Sequence, residues 1–346
     1  MKQKILCPII ALIMIFGTLC SCASKKEINK YTTSSMDYFD TVITITGYAN
    51  NQKEFDEISG DILKQLAEYH RLYSIYDRFD GIENLYTINE LVNGEHRTVT
   101  VDRRIIDMLL YAREMYHKTN GIMNIAMGSV LSLWHDCRTN GIENPKKAAL
   151  PNIDSLKKAA EHTDISKMII DEVNNTVTLT DPKMKLDVGA IAKGYATECV
   201  ARKLEEKGIT GYLLNVGGNV RTIGGKPDDS KWAVGIENPD SNDYLAVLKL
   251  NGQSVATSGS YQRFYYVNGK TYHHIINPHT LMPATGYLSI SIVCKDAGLA
   301  DALSTALFCQ SRSDGLELIE SIDEVEAMWV TEEGEKIFSS GWNKYK

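Results

Sequence analysis

An α+β domain is the fold class this sequence predicts, and three observations carry that prediction. Segments that alternate β-forming and polar residues crowd the second half of the chain. Stretches with apolar residues three and four apart, closed by Gly121 and Gly208, mark long helices in the first half and the middle. Strands and helices do not alternate strictly as strand, helix, strand, which argues against a doubly wound parallel sheet. The 346 residues are 43% hydrophobic and 23% charged, an ordinary globular composition with ample material for a core. No repeat or low-complexity break follows Ser35, so one compact domain over 36–346 is expected.

The elements read off in order. YFDTVITITGYA (38–49) alternates β-formers and is a first strand. Phe55, Ile58, Ile62, Leu66, Tyr69 and Tyr73 fall at helical spacing and predict an amphipathic helix. TVTVD (98–102) is a short strand, and Asp102 can cap a helix that runs to about Lys118 and stops at Asn120-Gly121. MIIDEVNNTVTLTD (168–181) is a hairpin about Asn174-Asn175. A helix from about Ala190 to Lys207 ends at Gly208. Strands follow at 212–216, 232–237, 245–252 and 288–293, with a hairpin over 264–276 that turns at Asn268-Gly269. A helix over 300–308, another near 315–321, and two closing strands complete the chain.

The N-terminus is not expected to join this fold. MKQKILCPIIALIMIFGTLCSC sets Lys2 and Lys4 before an apolar run that ends in small residues, the pattern of a secretory signal over 1–21. Pro8 and Gly17 weaken the run as a spanning helix. Its end, LCSC, resembles a bacterial lipobox, which implies cleavage before Cys22 and lipid on that cysteine. Each buried methylene of such a lipid contributes about 0.8 kcal/mol of membrane affinity. Residues 22–35 are polar and read as a flexible tether. Of the seven cysteines, Cys137, Cys199, Cys294 and Cys309 lie beyond Cys22, without the C-x-x-C spacing of zinc or redox sites; apolar surroundings suggest buried free thiols at Cys294 and Cys309. The net charge of −7 and pI near 5.7 argue against nucleic acid as the main partner.

No Rossmann glycine fingerprint, Walker A loop, H-E-x-x-H or G-x-S-x-G is present. Three stretches hold the residues able to do chemistry. In KLDVGAIAKGYATECVARKL (185–204), Asp187 stands just ahead of a helix start and Lys193 can sit over an anion there. In YLLNVGGNVRTIGG (212–225) a strand runs into paired glycines, which allow close backbone approach. In VATSGSYQRFYYVNGKTYHHIINPHTLMPA (255–284), neighbours on a strand point to opposite faces, so only one of His273 and His274 should meet a site, and Ile276 shares the face of His274. Each of these features also has a structural reading. The helix ADALSTALF (300–308) adds Asp301 and Thr305, a carboxylate and a hydroxyl one turn apart on one face. Hard cations such as Mg²⁺ take such oxygens; a helix cap at Asp301 is the plain alternative.

LDVGAIAKGYA, LLNVGGNVR, WAVGIENP, SGSYQRF, HHIINPHT and ADALSTALF, in this order, resemble segments of the FAD:protein FMN transferase family, also called ApbE. The resemblance runs from about Tyr38 to the C-terminus and implies a T-fold-related α+β domain. It implies a Mg²⁺-dependent enzyme, Mn²⁺ being an alternative ion, that moves FMN from FAD to a Thr or Ser hydroxyl of a target protein and releases AMP. The implied targets are flavoprotein subunits of sodium-pumping quinone reductases or Rnf-type complexes. A lipid-anchored enzyme facing the periplasm, most simply at the inner membrane, suits that role. Carried over by position, the metal ligands would be Asp301, Thr305 and the Ala190 carbonyl. FAD contacts would be Phe39, Tyr76, the backbone at Ile122, Met123 and Asn124, then Asp187, Lys193 and Ile276. His274 is the expected base toward the acceptor hydroxyl, since an ordinary imidazole titrates near working pH. The chain departs from the family pattern in FDT (39–41), at Asn277 and in DCRTNG (136–141). The rival readings are an FAD pyrophosphatase giving FMN and AMP, and a flavin-binding lipoprotein without catalysis.

Overall fold

The computed structural model describes residues 28–90, 97–241 and 243–346. The leader and Cys22, with the expected cleavage and lipidation, lie outside them. The described chain opens with β1 (Asn29–Ser35) and β2 (Ile43–Ala49), paired antiparallel from Asn29↔Ala49 to Ser35↔Ile43. β1 corrects the expected tether over this stretch. Its Thr and Ser residues suit an exposed edge strand, and Tyr31 stacks on Phe55 at 5.5 Å between ring centroids. The second strand starts later than its composition suggests, because Phe39 and Asp40 adopt left-handed φ of 59° and 49° in the turn before it.

α1 (Gln52–Tyr73) is capped by the Asn51 side chain, which accepts the Glu54 N–H, and buries Phe55, Ile62, Leu66 and Tyr69 as its periodicity predicts. α2 (Leu85–Glu90) and β3 (Arg97–Thr100) follow. α3 (Arg103–Lys118) has Asp102 at its cap and ends where Asn120 and Gly121 turn left-handed. α4 (Gly128–Glu143) and α5 (Ile153–Ala160) were not anticipated; α4 has no clean apolar stripe, burying only Gly128, Val130, Trp134 and Gly141. β4 (Met168–Asp171) and β5 (Thr176–Leu179) form the expected hairpin, and α6 (Ala192–Glu206) ends before Gly208. β6 (Tyr212–Val216) and β7 (Asn219–Ile223) turn on Gly217-Gly218, β8 (Trp232–Glu237) pairs with β9 (Tyr244–Leu250), and β10 (Ser254–Gly259) follows. β11 (Phe264–Val267) and β12 (Lys270–His273) form a hairpin. β13 (Tyr287–Cys294), α7 (Ala297–Phe308), α8 (Arg312–Glu320), β14 (Glu326–Thr331) and β15 (Lys336–Phe338) close the fold.

An eight-stranded antiparallel sheet in the order β1-β2-β6-β7-β10-β13-β14-β15 is the frame, and the expected α+β class holds. One face is covered by α1, α6 and α7, the other by the β8–β9 hairpin and Trp342. Burial on both faces explains why β7 and β13 are buried along nearly their whole length rather than alternating, with β13 almost wholly apolar or small. The thiols of Cys137, Cys199, Cys294 and Cys309 are all free.

α6 and α7 meet closely enough that a Cβ on Gly194 would lie 2.4 Å from the Ala297 carbonyl oxygen. Their first turns satisfy each other. The Gly194 N–H donates to Asp301 Oδ2 at 2.8 Å, and the Ala297 N–H donates to Glu198 Oε2 at 2.9 Å. Arg221 of β7, wholly buried, donates to Glu198 at 3.0 Å and to Glu205 at 2.8 Å. Burial alone would push the Glu198 pKa up, but Arg221, the Ala297 N–H and Arg202 outweigh it and hold the carboxylate below its ordinary range. Glu198→Ala would leave buried Arg221 with Glu205 as its one carboxylate partner and the Ala297 N–H without its acceptor, and urea unfolding should show a loss of about 3 kcal/mol.

Candidate functional site

A cleft of about 550 Å³ opens between the sheet, the start of α6, α4 and the β11–β12 hairpin. Of the residues expected to form a site, Tyr76, Ile122, Met123, Asn124, Asp187, Ala190, Lys193, His274, Ile276, Asp301 and Thr305 all line it. Phe39 is not among these lining residues. Its N–H donates to His70 Nδ1 at 3.2 Å and its ring packs edge-on against that imidazole, because the left-handed turn swings it toward α1. The neighbouring Asp40 and Thr41 line the cleft instead. The tight turn is completed by Gly217, whose φ of 58° and 2.3 Å approach to Thr41 Oγ1 from a built Cβ admit only glycine.

Asp301 does not cap α7; Asp296 does, accepting the Leu299 N–H. Asp301 lies on the second turn, 6% exposed. Burial pushes its pKa up, while Lys193, the Gly194 N–H and Asn219 pull the other way. Thr305, one turn on, has its Oγ1 3.2 Å from Ser258 Oγ of β10. Ala190 sits in the turn that leads into α6, with Lys193 one turn later reaching back to the Gly189 carbonyl at 3.5 Å. A buried carboxylate, a hydroxyl and a turn carbonyl make an all-oxygen donor set, and the burial that disfavours the Asp301 charge is relieved by a cation. These residues therefore fit a hard divalent ion. Among the described residues no group of three or more His, Cys, Asp and Glu side chains makes a softer metal site.

The loop over 121–128 is tied down by side-chain hydrogen bonds, and its Ile122, Met123 and Asn124 line the cleft. Asn124 donates to the Thr163 carbonyl at 2.9 Å and accepts the Ala126 N–H, while Thr119 Oγ1 accepts the Met123 N–H. Asp187 accepts the Gly189 N–H at 2.8 Å; burial raises its pKa, and that N–H, His135, Arg138 and Lys193 oppose the rise. Behind it, buried Asn89 pins Leu186 through both main-chain groups.

The expectation that only one of the two histidines meets the site does not hold: both line the cleft, because β12 ends at His273 and His274 lies in the bend beyond it. His273 is tied to the Ala284 carbonyl at 2.8 Å and to the Ile275 N–H at 3.2 Å. His274 has a buried Nδ1 with no hydrogen-bond partner among the described residues. Its pKa is not near working pH: burial, then Arg263, Arg138, His273 and Lys193, push it down to about 3. Arg138 and His135 on α4 were missed because that helix was missed. Arg263 stood in a quoted segment but gave no periodic or motif signal of a role.

An antiparallel sheet with one helical face, and a cleft that combines an oxygen-donor pair, cationic side chains and an aromatic wall, define a protein for phosphorylated aromatic ligands. The chain belongs to the ApbE family, whose model matches residues 39–329. It is 29% identical over 282 residues to an FAD:protein FMN transferase of Klebsiella pneumoniae (strain 342), covering 78% of this chain and 84% of that protein. It is 32% identical over 248 residues to an FAD:protein FMN transferase of Treponema pallidum (strain Nichols), covering 67% of each chain. The crystal structure of the ApbE protein of Thermotoga maritima superimposes with a TM-score of 0.80 at 28% identity, over 92% of this chain and 99% of that one.

The depressed pKa makes a direct prediction. His274 stays neutral in the folded protein while an unfolded histidine protonates near 6.5, so its contribution to stability is lost as pH falls below about 6.5. A ring-selective NMR titration of the ligand-free protein should show His274 unprotonated at pH 5. In Arg263→Gln the midpoint should move upward, since a repelling charge is gone.

Proposed function

We propose that the protein is a flavin transferase that moves the FMN moiety of FAD to a Thr or Ser hydroxyl of a target flavoprotein and releases AMP. The observation that supports this reading is that Asp301, Thr305 and Ala190 line one cleft together with cationic and aromatic side chains, in a chain of the ApbE family. Asp301, Thr305 and the Ala190 carbonyl would hold Mg²⁺, with Mn²⁺ an alternative. Bound there, the ion supplies positive charge against the phosphate that departs with AMP.

The chain's own residues do the rest. Lys193 bears on the same phosphates from the first turn of α6, where main-chain N–H groups also favour anions. Tyr76 and Ile276 offer flat apolar contact to the rings, and the backbone at Ile122, Met123 and Asn124 lies along them. His274, neutral in the free protein, is our candidate to take the acceptor hydroxyl proton at Nδ1; the negative charge of bound phosphate raises its basicity toward the working range. The composition of the leader supports export and lipid attachment at Cys22, and so a periplasm-facing place at the inner membrane. Subunits of sodium-pumping quinone reductases or Rnf-type complexes are the acceptors we propose.

The test is mass spectrometry of a purified acceptor subunit incubated with the protein, FAD and Mg²⁺. An FMN-sized gain on one hydroxyl residue, with AMP released, is expected. Asp301→Asn keeps an oxygen for the Gly194 N–H but loses the charge, and transfer should fall by roughly 100-fold or more while the protein stays folded. A chelator should stop transfer, and Mg²⁺ should restore it. Free FMN and AMP with an unmodified acceptor would identify a pyrophosphatase instead.

A further inference from the structure

In the same cleft as the Asp301–Thr305 pair and Lys193, a second polar cluster lies on the α4 side. Arg138 Nη2 is 3.0 Å from His135 Nδ1. An arginine can only donate, so His135 Nδ1 must accept, which fixes that ring's tautomer and aims the guanidinium. His135 in turn lies against Tyr76, with ring centroids 5.2 Å apart and planes tilted by 31°. Arg263 approaches from the start of the β11–β12 hairpin, with Nη2 3.4 Å from the Asp40 carbonyl. All four residues line the cleft.

The charges are arranged as if something were to lie between them. Arg138 is partly buried and Arg263 exposed, and neither makes a carboxylate ion pair among the described residues, whereas buried Arg221 has two. Burial, then repulsion from Arg263, lowers the Arg138 pKa, although Tyr76 and Asp187 act against it. Both arginines also repel a proton from His274, whose buried Nδ1 is unpartnered on the same side of the cleft. Two forked cations that line one cleft and bear on the same imidazole are unfavourable alone and favourable around an anion.

We infer that Arg138 and Arg263 form an anion subsite that takes a phosphate group of the dinucleotide, with His135 as the residue that positions Arg138. A phosphate is favoured over an acceptor carboxylate because the fork sits beside an aromatic contact, His135 tilted against Tyr76. A nucleotide phosphate arrives tied to a planar ring that such a pair can face. This inference rests on the proposed flavin chemistry only for the identity of the dinucleotide.

Isothermal titration of the full chain without divalent metal separates the cases. FAD, FMN, AMP and inorganic pyrophosphate carry phosphate; riboflavin and adenosine do not. Arg138→Gln and the more exposed Arg263→Gln should each weaken the phosphate-bearing ligands by roughly 10- to 100-fold. Riboflavin and adenosine should change by less than about twofold, and the salt dependence of FMN binding should flatten. His135→Leu should reproduce part of the Arg138→Gln loss and none of the Arg263→Gln loss. Equal losses for riboflavin and FMN would overturn the inference and assign the arginines to the rings. Unchanged binding of every ligand, with a raised KM for the acceptor alone, would overturn it in favour of an acceptor contact. If the wild type binds AMP and pyrophosphate but no flavin, the subsite stands and the flavin transferase reading fails.

Discussion

Two main-chain N–H groups, each capped by a carboxylate from the other helix, hold this molecule's functional geometry. Gly194 near the start of α6 gives its N–H to Asp301 of α7, and Ala297 at the start of α7 gives its own to Glu198 of α6. Helix starts leave such donors unpaired, and burying them unpaired is costly. The exchange satisfies both and sets the separation of the two helices at once. Only a glycine at 194 permits the approach, and buried Arg221 neutralises Glu198 so that the pair is tolerated in the core. Asp301 is thus oriented by the same contact that packs the helices, and the metal-binding reading of its carboxylate inherits that rigidity.

The cleft itself is an electrostatic compromise. Asp187 and Asp301 are pushed toward their neutral forms by burial, and His274 toward its own by burial together with three nearby cations. Lys193 bears on all three groups. Such a site is poorly balanced when empty and well balanced around a phosphorylated ligand that meets cationic side chains on one side and a cation-holding carboxylate on the other. That complementarity joins the fold to the flavin chemistry of the family.

Much of this was legible in the chain because it depends on local spacing. The one-turn interval from Asp301 to Thr305 and the caps at Asp102 and Gly208 are consequences of the helix period and of helix-end chemistry. What was lost had no such signal. β1 is polar because it lies at an edge, so it looked like a tether. α4 buries few residues against small neighbours, so its stripe is faint, and Arg138 and His135 vanished with it. Phe39 was placed by alignment of segments, which carries no information about the left-handed turn that moves it.

By itself, then, the sequence determined the α+β class, most elements and the one-turn spacing of Asp301 and Thr305, since these follow from residue type and short-range period. The tertiary structure alone decided that Asp301 faces Gly194 rather than capping its own helix, that Asp40 and not Phe39 meets the cleft, and that three cations converge on His274. Those outcomes depend on through-space distances between segments up to two hundred residues apart along the chain, and on burial. Neither is encoded in any window of neighbouring residues.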